Sequence, residues 1–447
     1  MLLISIHHPL AKDLTYHLFK KMPIKGNLKM EVRVLGSARE VGRSAVLLKS
    51  SNTNLLFDFG VLMQKEIGFP VHVQPKDVDA ILLSHAHLDH SGALPLFYLS
   101  NGPKIYTTKL TLELSKLLIE DLLRVSGFYL PFEYLDLLEM MRKTTTINPN
   151  DKVKTSSFEA TFYDAGHIPG SSSILVEGEG KRILYTGDLN DEDTQLLRGA
   201  EYEIGELDLM ITESTYATED HPPRSEVEKS FVDYAKEVVE RGGTLFVPAF
   251  SVGRAQEIAC VLSSHRFPYP TYMDGMALKT NEILFRYPEY LRDPKAFRKA
   301  INSVEVVTSW KQRKKIIDTP SVIISPAGML VGGAAVFYNQ QIAQREKNAI
   351  SIVAYQIQGT PGRTLLEKGL ALVNGKPTKV KAEIKRFDFS SHSGKSGLMN
   401  LMRKVRGNPK ILMVHGEEQS CLSFAKAVKE TFGFDAYAPK PGESFHI

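Results

Sequence analysis

Val78-Asp79-Ala80-Ile81-Leu82-Leu83-Ser84 runs directly into His85-Ala86-His87-Leu88-Asp89-His90. The first seven residues are almost wholly apolar, the pattern of a strand buried on both faces. The next six hold four potential metal ligands, and a tight turn after the strand aims them all at one place. Imidazole is a common neutral ligand and carboxylates complete borderline-soft sites, so this composition favours zinc over magnesium or calcium. Each fixed position in such a string raises its specificity above that of an isolated histidine on a solvated loop.

Two further pieces lie outward from this string, each after a strand-like run: Gly166-His167 follows Thr161 to Tyr163, and Tyr185-Thr186-Gly187-Asp188 follows Arg182 to Leu184. The two oxygens of Asp188 suit a bridge between two metals, the arrangement that activates water and clamps both oxygens of an in-line phosphoryl displacement. Met30 to Leu35, Ser44 to Leu48 and Asn54 to Phe59 read as earlier strands, while Lys109 to Leu123 and Pro131 to Arg142 have helical periodicity. Ser173 to Val176 returns to strand.

From about residue 216 the text alternates helix and strand, which predicts a parallel-sheet unit. Ser225 to Glu240 reads as a helix, Gly243 to Val247 as a strand, and Gly253 to Ser263 as a helix with Ser251 as its cap. Buried-strand runs recur at Ser321 to Ser325 and Ala349 to Tyr355, and the Gly-rich segment Gly328 to Gly333 opens another helix. β text resumes at Thr378, followed by the strand Lys410 to Val414 and the helix Cys421 to Phe432.

The 447 residues are 43% hydrophobic and 24% charged, which excludes a disordered, collagenous or fibrous chain and allows two domains, one of them large. The net charge of +4 is too mild to demand a polyanionic partner, so any nucleic-acid surface is local. Cys260 and Cys421 stand far apart without CxxC spacing, which argues against a disulfide framework or a cysteine zinc site and fits a reducing, cytoplasmic compartment. No apolar run approaches the roughly 18 residues of a membrane helix, and no membrane association is expected. Residues 1–29 lack the features of a secretory signal and read as a helical or loose N-terminal extension.

The order Asp58, His85-x-His87-x-Asp89-His90, His167, Asp188 resembles the first four motifs of the metallo-β-lactamase superfamily over residues 30–190. That fold serves hydrolases of several substrate classes, so the later text has to separate them. Thr212-Glu213-Ser214-Thr215-Tyr216, Pro248-Ala249-Phe250-Ser251-Val252-Gly253-Arg254-Ala255-Gln256-Glu257, Phe389-Ser390-Ser391-His392-Ser393-Gly394 and Met413-Val414-His415-Gly416-Glu417 resemble the β-CASP nuclease branch. The resemblance covers nearly the whole chain from Met30 and is closer to the cleavage and polyadenylation specificity factor type, with its archaeal and bacterial members, than to RNase J.

The resemblance implies an α/β protein: a metallo-β-lactamase αββα sandwich, residues 30–215 and 386–447, with an inserted β-CASP α/β domain over 216–385. It implies a zinc-dependent ribonuclease that hydrolyses RNA phosphodiester bonds, as endonuclease, 5′-to-3′ exonuclease or both, in RNA processing, 3′-end formation or decay. Two Zn2+ per chain are expected, one held by His85, His87, His167 and Asp188, the other by Asp89, His90, Asp188 and His415. Asp58 would orient a ligand imidazole through its free N–H. The implied catalytic residues are Asp89, Glu213 and His392, with His392, poised by Glu213, protonating the leaving ribose oxygen or steadying the scissile phosphate. The resemblance also implies single-stranded RNA as partner and a homodimer.

Arg254 offers a guanidinium fork, and Gly332 and Gly333 offer backbone N–H groups at a helix start; with Ser391 they form the expected substrate contacts. Arg292, Lys295, Arg298, Lys299, Lys311, Arg313, Lys314 and Lys315, with Phe297 and Trp310 interleaved, suggest a groove tracking single-stranded RNA. The sequence leaves no room after residue 447 for a long C-terminal domain, and nothing before Met30 resembles the KH domains of some archaeal members. Substrate selection is therefore expected to rest on the β-CASP unit. Two alternatives stay open: a catalytically silent RNA-binding subunit of a processing complex, and a DNA nuclease of the same branch. Only a contact to the 2′-hydroxyl separates RNA from DNA at a given site.

Overall fold

Strict alternation along the strands builds the first two layers. In the computed structural model, which describes residues 30–63, 66–126, 130–155 and 157–447, Val32 and Val34 of strand Glu31–Val34 point inward. Phe158, Ala160 and Phe162 of Phe158–Asp164 meet them from a second sheet across one shared core. Successive side chains of a strand face opposite ways, so Leu55 and Phe57 enter this core while Leu56 turns outward. The extension expected over residues 1–29 lies outside the described residues.

Among the described residues each of the two sheets has seven strands. The first runs Ser444–His446, Glu31–Val34, Val46–Lys49, Asn54–Phe57, Ala80–Leu82, Lys104–Thr108, Thr144–Ile147. The second runs Asp435–Tyr437, Lys410–Val414, Leu209–Glu213, Lys181–Tyr185, Ser172–Gly178, Phe158–Asp164, Lys152–Lys154. Helices Lys109–Ser126 and Tyr134–Lys143 cover the outer face of the first through Ile119, Leu122, Leu137 and Met140. Lys395–Lys404 and Glu418–Phe432 cover the second through Leu398, Met402, Phe424 and Val428. The result is the expected αββα sandwich, in which each fully buried large side chain contributes about 1.5–3 kcal/mol.

A third sheet of six strands is parallel throughout, in the order Glu305–Val307, Thr271–Asp274, Ser321–Ser325, Thr244–Pro248, Ala349–Ile352, Glu383–Arg386. Leu245, Val247, Val322 and Ile324 pack against helices Arg224–Glu240 and Arg254–Ser264, while Phe246, Ile323 and Ile350 face Tyr338, Ile342 and Leu365. Cover on both faces is what a parallel sheet requires, and it explains the almost unbroken apolar text of these strands. A separate apolar cluster joins this unit to the sandwich, with Leu110, Leu114 and Ile168 from one side and Val252, Leu284 and Tyr287 from the other.

One capping expectation is overturned. Helix Arg254–Ser264 is preceded by Gly253 at φ +82°, with no side-chain cap, and Ser251 offers only its carbonyl, to Gln256 Nε2 at 3.1 Å. Ser251 sits two residues ahead of the cap position, too early for its hydroxyl to reach the first free N–H groups. Among the described residues no helix is long and apolar enough to cross a membrane.

Candidate metal and catalytic centre

Most residues of the site follow, or close, a strand of the sandwich. His85 comes after Ala80–Leu82, Asp58 after Asn54–Phe57, His167 after Phe158–Asp164, Asp188 after Lys181–Tyr185 and His415 after Lys410–Val414, while Glu213 is the last residue of Leu209–Glu213. Parallel pairings align the carboxyl ends of these strands within each sheet, and Phe158–Asp164 runs the same way as Lys181–Tyr185 because each pairs antiparallel with the strand between them. The tight turns there have a backbone requirement. Gly187 adopts φ +55°, and a Cβ on it would lie 2.9 Å from Ser84 Cβ, so the turn that presents Asp188 admits no side chain. Asp58 and His415 hold left-handed φ values of +54° and +50° despite their side chains, a strain that concentrates at functional sites.

Asp188 stands between two sets of donors. Its Oδ2 is 3.6 Å from both His85 Nε2 and His167 Nε2, and His87 turns its Nδ1 to within 3.2 Å of His167 Nε2. Its Oδ1 is 3.4 Å from His90 Nε2 and 3.2 Å from His415 Nδ1. Asp89 joins the second set through His415 Nε2 at 3.2 Å. The structure thus brings all seven residues expected as metal ligands to one place: the first expected set groups as a whole, whereas in the second His90, Asp188 and His415 group together and Asp89 groups with His85 and His90.

The donor chemistry fits a cation. Buried His85 Nε2 and Asp188 Oδ1 have no hydrogen-bond partner, and the ligand atoms of His85, His87, His167 and Asp188 lie within 4.8 Å of one another, as do those of His90, Asp188 and His415. Leaving buried polar atoms unsatisfied costs about 1–3 kcal/mol each, a cost that a bound ion removes. Burial, reinforced by neighbouring imidazoles, holds His85 and His167 well below the ordinary histidine range, and burial brings His87 down to about 4. The neutral ring is the ligand form, so these three are poised to coordinate at physiological pH. Burial opposes charge on His90 as well, but Asp188 and Asp58 outweigh it and raise the ring; for Asp188 burial is outweighed by His415 and His90, which keep the carboxylate ionised.

Asp58, fully buried, holds the loop from behind. Its Oδ1 accepts from the Ser84 amide, and its Oδ2 accepts from Ser84 Oγ, Tyr185 Oη and His90 Nδ1, all at 2.7 Å. His90 is thereby turned with Nε2 toward Asp188. In the same way the Ser391 carbonyl receives His167 Nδ1 at 2.7 Å, and Ser84 Oγ meets His85 Nδ1 at 3.1 Å. Ser84, Tyr185 and the Ser391 carbonyl were not singled out as supports from sequence; their only signal there is adjacency to ligand motifs. Replacing Asp58 with Asn is expected to weaken metal affinity about 10–100-fold in chelator competition, because an amide cannot accept from all four donors. An unchanged affinity would reduce Asp58 to a purely structural role.

The late residues close over the centre. Both oxygens of Glu213, 1% exposed, accept from His392 Nδ1 at 2.9 Å, and the His392 ring lies 4.5 Å from that of His167 and 6.0 Å from that of His415. A cleft of about 880 Å³ opens above them, lined on one side by the metal loops and on the other by the chain that leaves the carboxyl ends of the third sheet: Phe250, Gly275, Pro326, Tyr355 and Phe387 to His392. Parallel sheets commonly offer their ligand-binding crevice at that edge.

The expected substrate contacts also line this cleft. Arg254 is 8% exposed and donates from Nη2 to Ser391 Oγ at 3.0 Å, while its Nε is unpartnered. Burial lowers Arg254 to about 10, leaving it charged. Gly332 and Gly333 precede and open helix Gly333–Ile342, with nothing within 4 Å of a Cβ on Gly332. The basic stretch from Arg292 to Lys315 needs correction, since only Trp310 and Arg313 of it line the cleft. Phe297 is 2% exposed and packs 5.3 Å from Phe285, because its helix Pro294–Asn302 is amphipathic and turns the aromatic ring inward. Arg292 is bound to the Thr194 carbonyl at 2.6 Å and pairs with Asp193.

Comparison with known proteins adds independent matches. The metallo-beta-lactamase superfamily matches residues 38–216, the Beta-Casp domain 255–365, and the Zn-dependent metallo-hydrolase RNA specificity domain 377–439. RNase aCSPSF2 of Saccharolobus solfataricus is 38% identical over 93% of this chain and 85% of that protein. Probable RNase MJ4 of Methanocaldococcus jannaschii is 37% identical over 94% of this chain and 100% of that protein. Transcription termination factor FttA of the same organism is 36% identical over 93% of this chain and 71% of that protein. Among solved structures, a protein of unknown function from Enterococcus faecalis V583 superposes with a TM-score of 0.59 over 94% of this chain and 100% of that one, at 16% identity, a likeness of fold.

Proposed function

The chain belongs to the β-CASP branch of the metallo-β-lactamase superfamily, and from that premise we propose that it is a two-zinc ribonuclease cleaving single-stranded RNA in the cleft between a metallo-β-lactamase unit, 30–215 with 386–447, and an inserted β-CASP unit, 216–385. The observation that carries the reading is Asp188, whose two oxygens each face a separate set of histidines at the base of a cleft into which the Glu213–His392 pair projects. His85, His87, His167 and Asp188 would hold one ion and Asp89, His90, Asp188 and His415 the other. Zinc in these positions would supply Lewis acidity toward the phosphoryl oxygens and make water a nucleophile at neutral pH.

The chain's own residues do the rest. Glu213 accepts the Nδ1–H of His392 and so turns Nε2 toward the substrate; in the doubly protonated ring the Nε2–H is the proton given to the leaving ribose oxygen, while Nδ1–H stays on Glu213. Cleavage then leaves 5′-phosphate and 3′-hydroxyl ends. Arg254 of the β-CASP unit and Ser391 of the metallo-β-lactamase unit, joined by a hydrogen bond, approach a phosphate where the two units meet, and the open backbone at Gly332 lets the strand come close.

The test is time-resolved cleavage of one single-stranded RNA labelled distinctly at its 5′ end and internally, by wild type and Asp89→Ala side by side. Internal fragments formed by wild type alone are the expected result. Early release of 5′ mononucleotides would make the enzyme a processive exonuclease, and binding without cleavage by both proteins would make it a silent RNA-binding subunit.

A further inference from the structure

Trp310 opens the short helix Trp310–Ile316 at the cleft wall and keeps 58% of its surface exposed. A large aromatic ring left open in a cleft is unusual, since indole burial ordinarily contributes strongly to stability. It is nevertheless not loose. The Arg313 guanidinium lies 4.9 Å from the ring, and Phe337 meets it edge to face at 5.1 Å. Arg313 in turn is anchored by two bonds to Asp274, at 2.7 and 2.9 Å, and the fully buried Asp274 also accepts from Tyr338 Oη at 2.6 Å. The capping box of Ser309 and Gln312 fixes the start of the helix. The indole is thus held by its neighbours without being covered by them.

The surroundings state what it would hold. From Phe250 to Ile357 the cleft lining carries three cations, Arg254, Lys279 and Arg313, and no acid. Aromatic faces combined with cations that track a backbone are the elements of a single-strand binding platform.

We propose that Trp310, buttressed by Arg313, is a stacking platform for one unpaired nucleobase of the RNA strand in the cleft. This rests on the ribonuclease reading and adds to it a contact to a base rather than to phosphate. Every base has a π-face, so the platform favours unpaired strands without demanding a sequence. Trp310 contributes to substrate binding and makes no contact with the reacting atoms.

Trp310 is the only tryptophan in the 447-residue sequence, so its fluorescence reports on this position alone. Metal-loaded full-length protein mixed rapidly with single-stranded RNA is expected to show quenching of that fluorescence before turnover. An abasic ribose-phosphate strand of equal length should give little quenching. Trp310→Ala should raise KM for RNA roughly tenfold, within the range measured for base stacking, with kcat changed less than about twofold, and Trp310→Phe should restore most of the loss. Unchanged melting of both variants would exclude a folding defect. Equal KM for wild type and Trp310→Ala, or equal quenching by the abasic strand, would overturn the platform while leaving ribonuclease activity standing. If wild type neither bound nor cut RNA, both readings would fall.

Discussion

Asp188→Ala is expected to cost at least about 10³-fold in kcat/KM, roughly 4 kcal/mol of transition-state stabilisation, together with the metal. The reason lies in its position rather than in its charge alone. One oxygen serves the His85, His87 and His167 side and the other serves His90 and His415, so a single truncation damages both sets. It also removes one of the two carboxylates that raise each of the buried His90 and His415, leaving only Asp58 and Asp89 respectively. Metal analysis should show fewer than one ion per chain, against two for wild type, and the loss should track the loss of cleavage. Retention of both ions with wild-type turnover would refute a shared bridge at Asp188.

His392→Ala should separate chemistry from metal binding. Positioned general acids typically contribute about 10²–10⁴-fold, and a fall of that size in kcat, with metal content and KM close to wild type, is the expected result. Glu213→Gln should move kcat the same way, because the amide loses one of the two oxygens that receive His392 Nδ1. The alternative has a structural basis: the ligand atoms of Glu213, His392 and His415 also lie within 4.8 Å of one another. Loss of an ion from His392→Ala would therefore exchange the roles assigned to His392 and His415. The fold should survive His392→Ala, since His392 lies at the cleft and outside the apolar cores.

Much of the ligand set was legible because its spacing is local. His85, His87, Asp89 and His90 are placed by one turn after one buried strand, and a strand's end is visible as the point where the apolar run stops. The parallel unit was equally legible, since strands covered on both faces read as continuous apolar text. The basic stretch misled for the opposite reason. Charge and aromatic content do not say which face of a helix looks inward, and in Pro294–Asn302 the packing face claimed Phe297. Ser251 failed as a cap because a shift of two residues, invisible in the text, separates a hydroxyl that reaches the helix start from one that does not.

By itself the amino-acid sequence determined, through periodicity and local motif spacing, the parallel unit and the ligand candidates of the His85–His90 string with His167 and Asp188; the sandwich, the insertion and the full set of seven ligands were legible there only through the family resemblance. The tertiary structure alone decided that Asp58 turns His90 rather than another ligand ring, that the Ser391 carbonyl holds His167, and that Trp310 is left open at the cleft. Those contacts join residues as many as 224 positions apart, and they form only when burying the apolar faces brings the strand ends together.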